Sequence, residues 1–421
     1  MLLRVLELAV ALLLSQTPQH ALFKQPNLPQ SQFAFFEAFP ASGAGTSGPC
    51  STTAPTGAKG EALTFTRASS ATCTKTATGG LATTGIANGD LVVLSSNVAR
   101  VEYDSAGTLG LLVEAARTNS CLRSEEFDNA VWQKLSASVA APVVTANQAT
   151  APDGAATADE VAYPQVVGAG AYSVVYQQIT STAVAWTTTQ YVKSKTTAGR
   201  LYLMCTPDGV TYRSAACDHV PTSWTRCSVT GTLTAVGWYC GLGVDLRDAT
   251  QSTQAAQTVY SWGGSHELGA YATSYIPTAG ATVTRAVEAL ADITLSSAVG
   301  PNFSIAMSVS FLARTANDTH SFMLLGSGAP NLASIGRWTN TAGQATINAT
   351  SSTGQAVPAM GSAVQRVSLS DTPGTRDFLW NGAALVAPAA SMSGSTTFLR
   401  TLPADAIFSR VCVDPSPERC R

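Results

Sequence analysis

Short runs of alternating apolar and polar residues, each closed by a turn-forming residue, recur along this chain from about residue 61 onward, and they constrain the fold more than any other feature. YSVVYQQIT, from Tyr172 to Thr180, is a clear case. Successive side chains of a strand point to opposite faces, so such a run suits a half-buried strand. Charged residues make up only 12% of the chain, whereas long surface helices draw heavily on Glu, Lys and Arg. Abundant Thr, Ser, Val and Gly suit short strands and tight turns instead. The expected fold class is all-β: tandem β-sandwiches, a jelly roll followed by a concanavalin A-like sandwich, with a small N-terminal β unit.

The net charge is −2 and no basic patch stands out, which argues against a nucleic-acid partner. The first residues, MLLRVLELAVALLLSQTPQHA, place one early cation (Arg4) before an apolar run ending at Leu14 and a small residue at Ala21. That is the layout of a secretory signal over 1–21. Glu7 interrupts the run, and a retained anchor or a buried start stay open as alternatives. No later segment has transmembrane length, so the expectation is a secreted, extracellular protein with no membrane span after signal removal. The nine cysteines include no C-x-x-C pair, which disfavours zinc-finger and thioredoxin-like chemistry. Cys205, Cys217, Cys227 and Cys240 cluster, and at least one disulfide is expected among them, with Cys412–Cys420 as a further link. The competing reading is small buried hydrophobes; connectivity stays open.

The chain divides by composition. Residues 22–60 are rich in Pro, Ser, Gly and Thr and read as a linker, interrupted by the aromatic cluster FAFFEAF (Phe33 to Phe39), which needs burial and suits an edge strand. Residues 61–118 read as a small β unit. Residues 119–286 carry the most regular strand pattern, and residues 287–421 form a third unit. Within the last, FLWNGAALV places Asn381-Gly382, a type I′ turn pair, between apolar runs. It resembles a hairpin of concanavalin A-like, laminin-G-type sandwiches.

Four segments, in order, carry a second resemblance: FTRASSAT (Phe65 to Thr72), LLVEAARTN (Leu111 to Asn119) running on to Trp132, YVKS (Tyr191 to Ser194), and the stretch from Trp262 to Ala286. Together they resemble bacteriophage tail, fibre and head-decoration proteins over roughly residues 60–290. In those proteins a collar precedes a β-sandwich of carbohydrate-binding-module type. The resemblance implies a jelly roll framed by Trp132 and Trp262, and a junction in which Arg117, Asn119 and Arg285 clamp the two ends, with Glu114 or a carboxylate from the 260–290 return as the partner of Arg117.

Catalytic signals are sparse. His219, His266 and His320 are far apart in sequence, and no nucleophile elbow, P-loop or HExxH motif occurs. Glu288 and Asp292 lack the spacing of a glycosidase pair, and the adjacent Glu125 and Glu126 would face opposite sides of a strand. The chain therefore reads as not an enzyme. Sugar binding needs less: an aromatic platform and a few polar groups. Trp132, Trp224 and Trp262 are expected in the core. The loop-placed candidates for ligand binding are Trp186, Tyr212 with Arg213, and Trp338 with Arg337 and Asn340. No cofactor is expected, although a structural Ca²⁺ has loop candidates in Asp245, Asp248 and Asp318. The expected function is non-catalytic binding of a glycan or polysaccharide at a cell or virion surface. The alternatives are a structural phage fibre, decoration or adhesin component, whose partners are virion proteins or copies of itself, and a glycoside hydrolase.

Overall fold

The computed structural model describes residues 49–50, 64–76, 84–103, 109–180, 185–206, 213–232, 237–247 and 253–290, together with the strand backbone at 35–38 and between 293 and 414. The expected signal at 1–21 and most of the linker lie outside these. Among the described residues every regular element is a strand, so the all-β expectation holds, and no described helix is long and apolar enough to cross a membrane.

Ten strands build the central sandwich: β1 Gln133–Ala137, β2 Val143–Ala149, β3 Ala158–Tyr163, β4 Tyr172–Thr180, β5 Ala185–Ser194, β6 Gly199–Thr206, β7 Arg213–His219, β8 Thr225–Thr232, β9 Gly237–Asp245 and β10 Gln257–Leu268. One sheet runs β7-β6-β9-β4-β1 and the other β8-β5-β10-β3-β2. Alternation decides which residues face inward. Leu201, Leu203 and Cys205 on β6, and Trp238, Cys240, Leu242 and Val244 on β9, are buried between the sheets. Trp186 of β5 meets Trp238 of β9 edge-on across the interior, with ring centroids 5.1 Å apart.

The two outer faces differ. Over β5 and β10, Ile86, Leu91, Ala151 and Tyr275 pack with Tyr191, Trp224 and Trp262 in a second apolar cluster. A segment of the N-terminal unit thus covers that sheet, and Ile86 bridges Trp224 through its backbone. β5 and β10 are buried on both faces, so their sequences lose the in–out alternation of a half-exposed strand. Trp132, Trp224 and Trp262 are core, as expected. The Trp262-Gly263-Gly264 run explains itself locally. Gly263 has φ +62°, and a Cβ on Gly264 would press the Trp132 ring at 3.0 Å. The β5–β10 register shifts at the same place.

At the junction, Arg117–Asn119 pairs with Val283–Arg285, joining the two ends of the sandwich. Asn119 is fully engaged: its carbonyl accepts from the Cys121 and His266 amides and its amide donates to Gly264 and Ile276. Glu114, one of the carboxylates expected for Arg117, is held by other cations. Glu114 pairs with Arg100 at 2.6 Å and Arg285 at 2.9 Å, while Glu288 takes Arg100 at 2.5 Å and Arg67 at 2.7 Å. The Arg117 guanidinium lies 5.0 Å over the Tyr271 ring. Burial pushes Glu114 up, but Arg285 and Arg100 outweigh it and hold it at about 2. All five side chains of these pairs are removed from water, so truncating one partner costs about 3–5 kcal/mol through the charge left behind.

The N-terminal unit also extends a sheet of the C-terminal region. Leu109–Val113 pairs with Ala406–Asp414 on one side and Arg100–Tyr103 on the other. Beyond Ala406–Asp414 follow Phe303–Phe311, Gln365–Thr372, Thr375–Trp380 and Ala383–Leu385. Within the aromatic cluster, Phe35–Ala38 is a strand at this sheet, paired with Ala406–Asp414. A six-stranded sheet contains the remaining C-terminal strands.

Three disulfides join the described residues: Cys50–Cys73, Cys205–Cys240 across β6 and β9, and Cys217–Cys227 between the edge strands of the two sheets. Two of them fall in the cluster where at least one was expected. Cys121 is a buried free thiol. Cys420 lies outside the described residues.

Candidate functional site

The outward face of the β7-β6-β9-β4-β1 sheet carries an open groove of about 380 Å³. Its walls come from alternate residues of four strands. β4 contributes Tyr172, Val174 and Tyr176, β6 contributes Met204 and Thr206, β9 contributes Tyr239, and Leu135 of β1 and Arg247 complete the rim. Register brings them together: Tyr176 lies opposite Gly241, which lies opposite Met204, and Gln178 lies opposite Tyr239, which lies opposite Thr206.

The groove exists because β9 presents glycine where a floor side chain would stand. Its outward positions read Tyr239, Gly241, Gly243, Asp245. A Cβ on Gly241 would run into the backbone of Val175 and Tyr176, and one on Gly243 into Ser173 and Val174. The bare strip is bordered by aromatic rings. Tyr176 and Tyr239 meet edge-on at 5.7 Å, and the Tyr176 hydroxyl donates to Gln133 Oε1 at 2.5 Å. Burial raises the Tyr176 phenol, which therefore stays protonated at neutral pH. At the other end Arg247 stacks 3.6 Å over Tyr172 and pairs with Asp245 at 2.6 Å. The charge of Arg247 is thus answered within the wall. Half-buried rings beside hydroxyl and amide groups can receive the C–H faces of a sugar and bond its hydroxyls. Two facing carboxylates, as hydrolysis of a glycoside requires, do not occur among the described lining residues.

The residues predicted from sequence fall elsewhere. Trp186 is not a loop platform. It is the second residue of β5, fully buried, edge-on to Trp238 and stacked on His266 at 5.7 Å, so no ligand reaches it. Arg213 is exposed at the start of β7, but it lies opposite the inward Cys205 and its side chain runs beside Gly231 of the other sheet, on the face away from the groove. Tyr212, Trp338 and Asn340 lie outside the described residues, and Arg337 ends the strand Ala333–Arg337. Of the calcium candidates, Asp245 is committed to Arg247, and Asp248 and Asp318 lie outside the described residues. Sequence reasoning missed Tyr172, Tyr176 and Tyr239 as a set. The available signal was the pair of glycines inside an otherwise apolar strand, which marks a close approach of backbone or ligand.

No family model matches the chain. No curated protein matches it either. Among solved structures, the N-terminal CBM22-1–CBM22-2 tandem domain of Paenibacillus barcinonensis Xyn10C is similar at 10% identity, with a TM-score of 0.27, over 71% of this chain and 98% of that one. At that score the likeness carries no argument about the site.

Proposed function

We propose that this is a non-catalytic glycan-binding protein of a cell or virion surface, and that the tyrosine groove of the central sandwich is its saccharide site. The observation that carries the reading is the glycine-floored strip of β9 bordered by Tyr172, Tyr176 and Tyr239. A flat apolar floor with hydroxyl-bearing rims serves a sugar ring better than it serves a charged ligand, because the rim charges of Arg247 and Asp245 already satisfy each other. Three disulfides support an oxidising, extracellular setting. Tyr212 and Arg213 are proposed as a separate contact at the start of β7, where Arg213 is exposed on the side away from the groove. Arg337, Trp338 and Asn340 are proposed as a separate contact on the C-terminal unit, for which a concanavalin A-like sandwich is part of the same proposal.

A glycan array with the full chain tests this, with Tyr239→Ala and Tyr176→Ala beside wild type. Loss of one platform ring should weaken binding by about 1–3 kcal/mol, while thermal melting shows the sandwich intact. Binding unchanged in both variants would remove the groove from the proposal. A wild-type chain that binds no glycan would leave the structural fibre or decoration reading in its place.

A further inference from the structure

Beneath the groove floor, on the inward side of the same strands, three side chains converge. Cys205 of β6 and Cys240 of β9 come from one sheet, and His266 of β10 from the other. Their donor atoms all lie within 4.8 Å of one another. His266 Nδ1 is 3.6 Å from Cys240 Sγ. The Thr188 hydroxyl sits 2.8 Å from Nδ1 and 3.1 Å from Cys205 Sγ. The imidazole is fully buried between Trp186 and Trp238, and its Nε2 has no hydrogen-bond partner among the described residues. Nδ1, not Nε2, is the nitrogen that faces the sulfurs.

We propose that, when the Cys205–Cys240 bond is reduced, Cys205, Cys240 and His266 form a binding site for a thiophilic divalent cation of the zinc type, with the Thr188 hydroxyl at the fourth position. Zn–S bonds of about 2.3 Å and Zn–N bonds of about 2.1 Å at a tetrahedral angle put sulfur and nitrogen about 3.6 Å apart, which matches the 3.6 Å between His266 Nδ1 and Cys240 Sγ. The two sulfurs must move apart from bonding distance, which rotation about their Cα–Cβ bonds supplies. Charge favours the site: two thiolates cancel the dication. A neutral complex avoids most of the penalty for a charge in an apolar core. The chemistry balances. A dithiol reductant gives two electrons and two protons to the S–S bond and itself becomes a disulfide. The metal then displaces the two thiol protons to solvent. The trio thus offers two exclusive cross-links between β6 and β9, a disulfide in an oxidising compartment and a metal in a reducing one.

The test refolds the full chain from the reduced, unfolded state without oxygen, with Co²⁺ as the probe. One Co²⁺ per chain is expected, with thiolate-to-metal absorption in the near ultraviolet and tetrahedral bands in the visible. Cys205→Ser and His266→Ala should reduce or abolish these bands, the Cys217→Ser/Cys227→Ser double variant should keep them, and the oxidised chain should bind no Co²⁺. Circular dichroism follows folding in each sample. A folded, reduced wild type without thiolate bands overturns the site. So do bands unchanged in Cys205→Ser, or a reduced wild type that fails to fold with the metal present.

Discussion

At the scale of single residues, one buried carboxylate sets a pH dependence. Glu102 is fully buried; one oxygen accepts the Thr74 amide at 3.2 Å and the other has no partner among the described residues. Burial pushes it up to about 7, against the pull of Arg100. The folded state then holds this proton more tightly than the unfolded one. Its contribution to stability is complete below the ordinary carboxylate value of 4.5 and is lost as pH rises through about 7. Glu114 runs the other way: held at about 2, its contribution is present above 4.5 and is lost as pH falls toward 2. The isosteric Glu102→Gln should therefore flatten the decline between pH 4.5 and 7 and stabilise the protein at pH 8 by on the order of 3 kcal/mol. Urea melts across that range check it, and a wild-type slope that survives in Glu102→Gln would assign the proton elsewhere.

At the scale of strands, the cross-links make a definite count. Protein from an oxidising compartment, denatured without reduction, should show no more than three free thiols of its nine, because six cysteines are paired. Nine thiols would refute all three bonds. Closing the short Cys217–Cys227 loop is worth about 3 kcal/mol and the longer Cys205–Cys240 loop about 4 kcal/mol in the chain-entropy account. Strand legibility followed exposure. YSVVYQQIT has one face in the core and one in the groove, alternates accordingly, and reads directly as β4. The sequence reads as a loop at Trp186 because the start of β5, buried on both faces, offers no alternation there. The groove was harder to see than the strands, since it depends on β4, β6 and β9 standing side by side, and only the glycines of β9 hint at it. The ARTN and VTRA segments did point to the junction, and Arg285 does meet Glu114 there. Glu114 is also held by Arg100, which sits outside both motifs and became visible only once its strand was paired.

At the scale of the whole molecule, the central sandwich is tied to what precedes it. A fragment of residues 119–286 would keep Arg285 and lose Glu114, and would lose the Ile86 and Leu91 cover over β5 and β10. Against a fragment of residues 64–290 it should melt lower and be cut sooner by protease. Equal melting temperatures would mean that the junction cluster contributes nothing net. A last consequence comes from the pairing of Leu109–Val113 with Ala406–Asp414. The ribosome makes the first of these strands long before the second, and an adjoining loop of nearly three hundred residues must close before they meet. Contacts so distant in sequence slow folding. Until synthesis reaches Ala406–Asp414, the apolar Leu111 and Leu112 stand on an open sheet edge, the kind of surface on which nascent chains stick to one another or call for a chaperone.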